Sequence, residues 1–319
     1  MKEMLKRLNI KYPIIQGGMG NVSAPSLVAS VSEAGGLGTI GCGTMEPKVV
    51  DRLILETKDR TDKPFALNIP LSVNAHSKEL MDLAIQHDIK VVSLSAGNPN
   101  PYISILKEKG ITVMAVVASV GHATKAEAAG ADLLVAEGFE AAGINSPVEL
   151  TTFTLVPQIC KHVSIPVVAA GGIADGYGLA AALMLGASGV QMGTRFIATE
   201  EAPYHALYKE KVLQATELST IVLGRPHGQV RRVLKGVYSE KLLQVESSLD
   251  DKAYREHTSE HQHQLGAVKG DDTNGFMNSG QIAGLIDDLP TVKDLIKSMM
   301  NTARQQLDKK RKEISALTE

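Results

Sequence analysis

Between residues 13 and 193 the chain repeats one unit eight times: a short apolar run, then an amphipathic stretch. The runs are PIIQGG (13–18), LGTIG (37–41), PFALNI (64–69), KVVSLS (90–95), ITVMAVV (111–117), DLLVAEG (132–138), IPVVAA (165–170) and GVQMG (189–193). Each is five to seven residues long and bounded by Gly, Pro or Asn, as buried strands are. Their near-continuous apolar character predicts burial on both faces, the condition of a parallel sheet. The intervening stretches, such as APSLVASVSEAG, SKELMDLAIQHD and KAEAAG, carry helical periodicity. Gly36, Gly110, Gly130 and Gly186 stand just before a strand, where a helix-ending glycine is expected. Eight such units predict an α/β fold, a (β/α)8 TIM barrel, over residues 1–199.

After Phe196 the rhythm changes. Residues 200–265 are charged and helix-prone, and are expected to form a helical lid or subdomain with no further strand of the barrel kind. The glycine-rich start of the last segment, 266–319, is expected to return to the barrel mouth. A C-terminal helix would then close the outer ring, its basic end suiting the helix dipole.

Composition narrows the function. With 319 residues, 44% of them hydrophobic, and a formal net charge of −2, the chain is long enough for one large core plus an addition. Near-neutral charge argues against nucleic acid as a partner. No apolar run reaches the roughly 18 residues that a membrane span needs, and the opening MKEMLKRLNIKYP lacks the apolar stretch of a signal peptide. Two cysteines, Cys42 and Cys160, make no disulfide framework, so a cytoplasmic location is expected.

The last two runs each end in a glycine turn, Gly171-Gly172 and Gly193-Thr194, and each turn opens into a helix-like stretch. Glycines admit close approach of a ligand to the backbone, and free N–H groups favour an anion. In this fold, phosphate sites commonly form after strands 7 and 8. The pair therefore reads as a phosphate clamp, with tight turns alone as the plainer alternative. The other strand ends supply glycines and amides, with neither clustered carboxylates nor a nucleophile–base pair. Such a mouth suits a large phosphorylated cofactor that brings its own reactivity.

The stretches YPIIQGGMG, SEAGGLGTIG, DKPFALNI, AGNP, GADLLVAEGFEAAG, SIPVVAAGGIADG, GVQMGTRF and NSGQIAGLI recur in order from residue 12 to about 286. In these the chain resembles the flavin-dependent enoyl-ACP reductase II and nitronate monooxygenase family, FMN-binding (β/α)8 enzymes. Its length and C-terminal layout are nearer the enoyl reductase branch. The resemblance implies FMN at the mouth, with Gly171, Gly172, Gly193 and Thr194 on the phosphate. Gly17, Gly18 and Met19 would pass beside the ring system and Asn68 would hydrogen-bond it. Glu137 and Gly138 would lie near it, and Met277, Gly280 and Gln281 would cover it. NADH or NADPH would donate electrons in a ping-pong cycle, with hydride passing through flavin N5 to an enoyl thioester. The resemblance implies acyl carrier protein as the substrate's carrier in such a cycle, and the oligomeric state is left open, a homodimer included.

One position departs from the family pattern. Where the family has an E-A-G-G-H run with a catalytic His, this chain has Glu140-Ala141-Ala142-Gly143-Ile144. An alkyl side chain moves no proton, and acid–base help is typically worth about 10²–10⁴-fold. His205, just after the last glycine turn, is the candidate replacement, against a plain surface or hinge histidine. A nitronate monooxygenase, a quinone or other NAD(P)H reductase, a non-redox phosphate-ligand barrel and a non-catalytic flavin-binding protein are the alternatives. Three further features have plainer readings. Cys42 is expected to be a packing residue. His257, His261 and His263 form a loose group without a further ligand, so no metal site is expected. Gly224–His227 with Arg231 and Arg232 reads as solvated lid charge or as a binding patch for NAD(P)H or acyl-carrier phosphates.

Overall fold

The computed structural model describes residues 1–317. Eight parallel strands form one sheet: β1 (Ile14–Gln16), β2 (Gly38–Gly41), β3 (Phe65–Pro70), β4 (Val91–Ser95), β5 (Thr112–Val117), β6 (Leu133–Glu137), β7 (Val167–Ala170) and β8 (Gly189–Met192). Each falls within or one residue beyond a predicted run. The sheet closes where β1 pairs with β8, Ile14 opposite Val190, and bridges on its other side to Leu37, beside β2. The Gln16 N–H donates to the Leu37 carbonyl at 2.9 Å, and the Leu37 N–H to that of Ile14 at 3.0 Å. The result is a (β/α)8 barrel.

Alternation along the strands splits the core into two layers. Ile15, Ala66, Val91, Met114, Leu133, Val135, Val168 and Ala170 fill the barrel interior. Met4 and Leu8 of the N-terminal helix (Lys2–Leu8) join this cluster. The opposite set, among them Leu67, Val92, Leu134 and Ala169, packs against the helical ring. Filling both faces with aliphatic side chains explains why the strand sequences lack polar alternation. Gly110, Gly130 and Gly186 end their helices with φ of 73°, 97° and 102°, the left-handed conformation that glycine adopts freely. At the first such junction Gly35 (φ 92°), and not the expected Gly36, takes this role.

The C-terminal helix Val292–Ser315 packs on the helix Gly176–Met184, closely enough that a Cβ at Gly176 would lie 2.5 Å from Thr302 Cβ. The region 200–265 is not wholly helical. Besides its helices it holds two strands, Thr220–Leu223 and Arg231–Leu234, paired antiparallel. The second pairs in turn with a two-residue strand, Gly143–Ile144, in the excursion after β6. This three-stranded sheet fixes the added region over the barrel mouth. No helix among the described residues is long and apolar enough to cross a membrane.

Candidate active site

A cavity of about 950 Å³ opens at the C-terminal ends of the strands, at the upper end of the range for cofactor and small-molecule sites. Its wall includes Gly17, Gly18, Met19, Asn68, Glu137, Gly171, Gly172, Gly193, Thr194 and Gly280. Ten of the thirteen residues expected to hold a cofactor thus converge here from six separate parts of the chain.

The turn after β7 is built from two left-handed glycines, with φ of 90° at Gly171 and 73° at Gly172. A Cβ on Gly171 would lie 2.9 Å from the Gly138 carbonyl oxygen, so only glycine fits. A Cβ on Gly193 would meet nothing within 4 Å, and the backbone there faces open space. Thr194 is buried, and its hydroxyl accepts the Gly280 N–H at 2.9 Å. The helix after the first turn is already capped, because the Asp175 carboxylate accepts the Gly178 N–H at 2.8 Å. An anion would therefore meet the N–H groups of the turns themselves rather than a free helix end.

Across the mouth, the turn after β1 is pressed onto its neighbours. A Cβ at Gly18 would lie 2.7 Å from Asn68 Cβ and 2.9 Å from Gly41 Cα. Asn68 is oriented from behind, its Nδ2 donating to Ser95 Oγ at 3.1 Å and to the Ser93 carbonyl at 3.3 Å. These glycines leave a flat backbone surface beside an amide. Cys42 is fully buried but does not line the cavity, and burial pushes its thiol up to about 12. It is a packing residue.

Acids in the cavity differ sharply in environment. Glu140 accepts the Thr152 N–H at 2.9 and 3.1 Å and the Thr152 hydroxyl at 3.1 Å, which ties it to the start of the helix Thr152–Cys160. Glu137 ends β6, and burial pushes its carboxyl up to about 7. Glu260 comes from the added region. Burial alone would raise its carboxyl, but His263, Arg231 and the Asn21 N–H (3.1 Å) hold it down to about 2.

Glu260 belongs to a buried polar wall that the sequence did not announce. His263 Nδ1 lies 3.7 Å from Glu260 and 3.3 Å from Asn278 Nδ2, and Arg231 lies 4.0 Å from Glu260. Arg231 also donates to Asn278 Oδ1 at 3.2 Å and stands over the Phe276 ring at 5.1 Å. Tyr208 donates its hydroxyl proton to the Asn278 carbonyl. Ile144, 47% exposed, lies opposite Arg231 in the strand register and lines the cavity with an alkyl side chain. The available clue was a charged segment, and polarity alone reads as solvent-facing until packing shows it buried.

Four expected site residues lie elsewhere. His205 is exposed and caps the helix Ala206–Leu213, its Nδ1 accepting the Leu207 N–H at 3.2 Å, so it does not reach the cavity. Gly138 is packed against Thr152, Met277 is buried in the main core, and Gln281 turns its side chain to solvent. His257 and His261 are exposed whereas His263 is buried, and the described residues hold no group of three side chains able to share a metal. The Arg225 and Arg232 guanidinium groups are engaged, with Glu149 at 2.7 Å and the Phe139 carbonyl at 3.1 Å.

Comparison with known proteins gives a consistent result. A family model described as nitronate monooxygenase matches residues 2–82 and 71–302. FabK from Thermotoga maritima, a solved structure, is 42% identical, covers 97% of each chain and superposes with a TM-score of 0.93. A (3aS,4S,5R,7aS)-5-hydroxy-7a-methyl-1-oxo-octahydro-1H-indene-4-carboxyl-CoA dehydrogenase of Rhodococcus jostii is 33% identical over 94% of this chain and 95% of its own length. A probable nitronate monooxygenase of Staphylococcus saprophyticus is 32% identical over 95% of this chain and 97% of its own.

Proposed function

The chain belongs to the nitronate monooxygenase family of oxidoreductases, and from that premise we propose that it uses FMN and NADH or NADPH to reduce an enoyl thioester. The observation that carries the cofactor is the pair of turns after β7 and β8: left-handed Gly171 and Gly172 beside the open backbone of Gly193. These residues fit a phosphate, since each presents backbone N–H groups where a side chain would intrude or collide. Bound FMN would supply a two-electron carrier between nicotinamide and acceptor.

The protein's part is binding, orientation and control of protons. Gly171, Gly172, Gly193 and Thr194 would hold the phosphate, with the Thr194–Gly280 contact fixing the second turn. Gly17 and Gly18 would let the flat ring lie against backbone, beside the Asn68 amide. The added region roofs the cavity, which limits water at the reacting atoms and strengthens each electrostatic contact inside.

Two observations support a thioester as acceptor: 42% identity to FabK over almost the whole chain, and a relative whose name specifies a carboxyl-CoA. His122 and Lys125, on the helix after β5, line the same cavity and suit the phosphates of a CoA or acyl-carrier arm. A second reading, oxidation of an alkyl nitronate with O₂, is favoured by Ile144, because a nitronate has already lost its proton and needs no base. Steady-state assays separate the two. The first predicts NAD(P)H consumption that depends on crotonyl thioester, and the second predicts oxygen uptake on adding a nitronate without nicotinamide.

A further inference from the structure

We propose that Glu137 is the proton donor of this site, its carboxyl delivering the proton that completes reduction at the carbon next to the thioester carbonyl. The inference rests on the enoyl-thioester reading above. Its first support is strand geometry. Leu133 and Val135 of β6 point into the barrel interior, so Glu137, two residues further on, faces the same way at the mouth. It lines the cavity, and among the described residues its side chain makes no hydrogen bond or ion pair. Its flanking partners are apolar: Ala170 of β7 stands opposite it, and Val117 of β5 opposite the preceding Ala136. With no charged neighbour, burial alone keeps its proton on up to about pH 7.

Most of the other ionisable groups of the cavity are committed elsewhere. Glu140 accepts three hydrogen bonds from Thr152, and Glu260 is held ionised against His263 and Arg231. His263 is stacked on Phe276, with Nδ1 turned to Asn278 and Glu260 and Nε2 sealed from solvent. Tyr208 donates to the Asn278 carbonyl, and burial raises the phenols of both Tyr204 and Tyr208. Arg231 keeps its proton at any working pH. His122 and Lys125 sit on the rim helix rather than on a strand end. A carboxyl that titrates near neutrality is suited to general-acid work.

A hydride drawn from NAD(P)H bonds to the β-carbon and brings both electrons. The carbon–carbon π bond opens, and its pair moves onto the α-carbon and carbonyl oxygen as an enolate. The Glu137 O–H bond then breaks, its proton bonds to the α-carbon, and the carboxylate left behind takes a proton from water at the mouth.

The test uses FMN-loaded wild type, Glu137→Gln and Glu137→Asp, each reoxidised in single turnover by crotonyl thioester or by a quinone, which needs no proton on carbon. Infrared titration of the same proteins reads the carboxyl directly. We expect E137Q to slow the thioester reaction about 10²–10⁴-fold relative to the quinone reaction, and E137D to recover part of it. The wild-type thioester rate should fall as pH rises through about 7, and E137Q should lose that limb together with one protonated-carboxyl band. Equal thioester rates and pH profiles in wild type and E137Q would overturn this role alone, as would an unchanged infrared titration. A wild-type enzyme that reduces quinone but never the thioester would overturn the role and the reading beneath it.

Discussion

The Thr194 hydroxyl accepts the backbone N–H of Gly280 at 2.9 Å, tying the turn after the last barrel strand to the segment that returns from the added region. Thr194 is 4% exposed, so the bond is shielded from water. Thr194→Val keeps the shape and removes the acceptor, which leaves a buried N–H without a partner. The expected cost is about 1–3 kcal/mol of stability and about a tenfold weaker hold on FMN. Denaturant unfolding and a flavin fluorescence titration measure the two effects, and Thr194→Ser should restore both.

The two glycine turns predict different effects on stability for the same substitution. Gly171→Ala places a Cβ 2.9 Å from the Gly138 carbonyl at φ 90°, a strain of about 1–3 kcal/mol. Gly193→Ala meets nothing within 4 Å at an ordinary φ of −116°. The first variant should lose thermal stability and flavin together. The second should melt like the wild type yet bind FMN more weakly, since its methyl group enters the phosphate space.

Acid should destabilise the protein through Glu260. Its carboxyl titrates near 4.5 when unfolded but near 2 in the fold, because His263 and Arg231 outweigh its burial. A depressed carboxylate contributes stability above pH 4.5 and loses it as pH falls towards 2. The difference corresponds to about 3 kcal/mol. Glu260→Gln should flatten the stability profile over that window and lower stability at pH 7, where it leaves Arg231 buried without its counter-charge. Urea unfolding from pH 2 to pH 7 reads both changes.

Cys42 should be inert in the native protein. Burial pushes its thiol up to about 12, so almost no thiolate exists at pH 7. Cys160, half-buried, is shifted the same way. Iodoacetamide followed by mass spectrometry should show Cys42 modified only after unfolding. Rapid labelling of the native protein would contradict its role as packing.

The barrel was legible because its strands are buried on both faces, and such strands are written as uninterrupted apolar runs. The strands Thr220–Leu223 and Arg231–Leu234 were not, since each is four residues long and the second opens on two arginines. Their pairing with Gly143–Ile144 depends on contacts distant in sequence, which no local pattern carries. The glycine half of the site was readable for the same local reason as the turns. Arg231, Glu260, His263 and Asn278 were hidden, because each reads as polar surface until the added region folds over the mouth. His205 drew attention by its place beside the last glycine turn, but proximity in sequence led only to a helix cap.

At the centre of the proposal, the two turns hold FMN and NAD(P)H reduces it for delivery to an enoyl thioester. The most direct measurement is anaerobic stopped-flow absorbance of the FMN-loaded protein, mixed first with NADH or NADPH and then with crotonyl thioester. One nicotinamide should bleach the flavin band, and the thioester should restore it. A protein that retains no FMN, or a flavin that stays oxidised with both nicotinamides, would contradict the proposal.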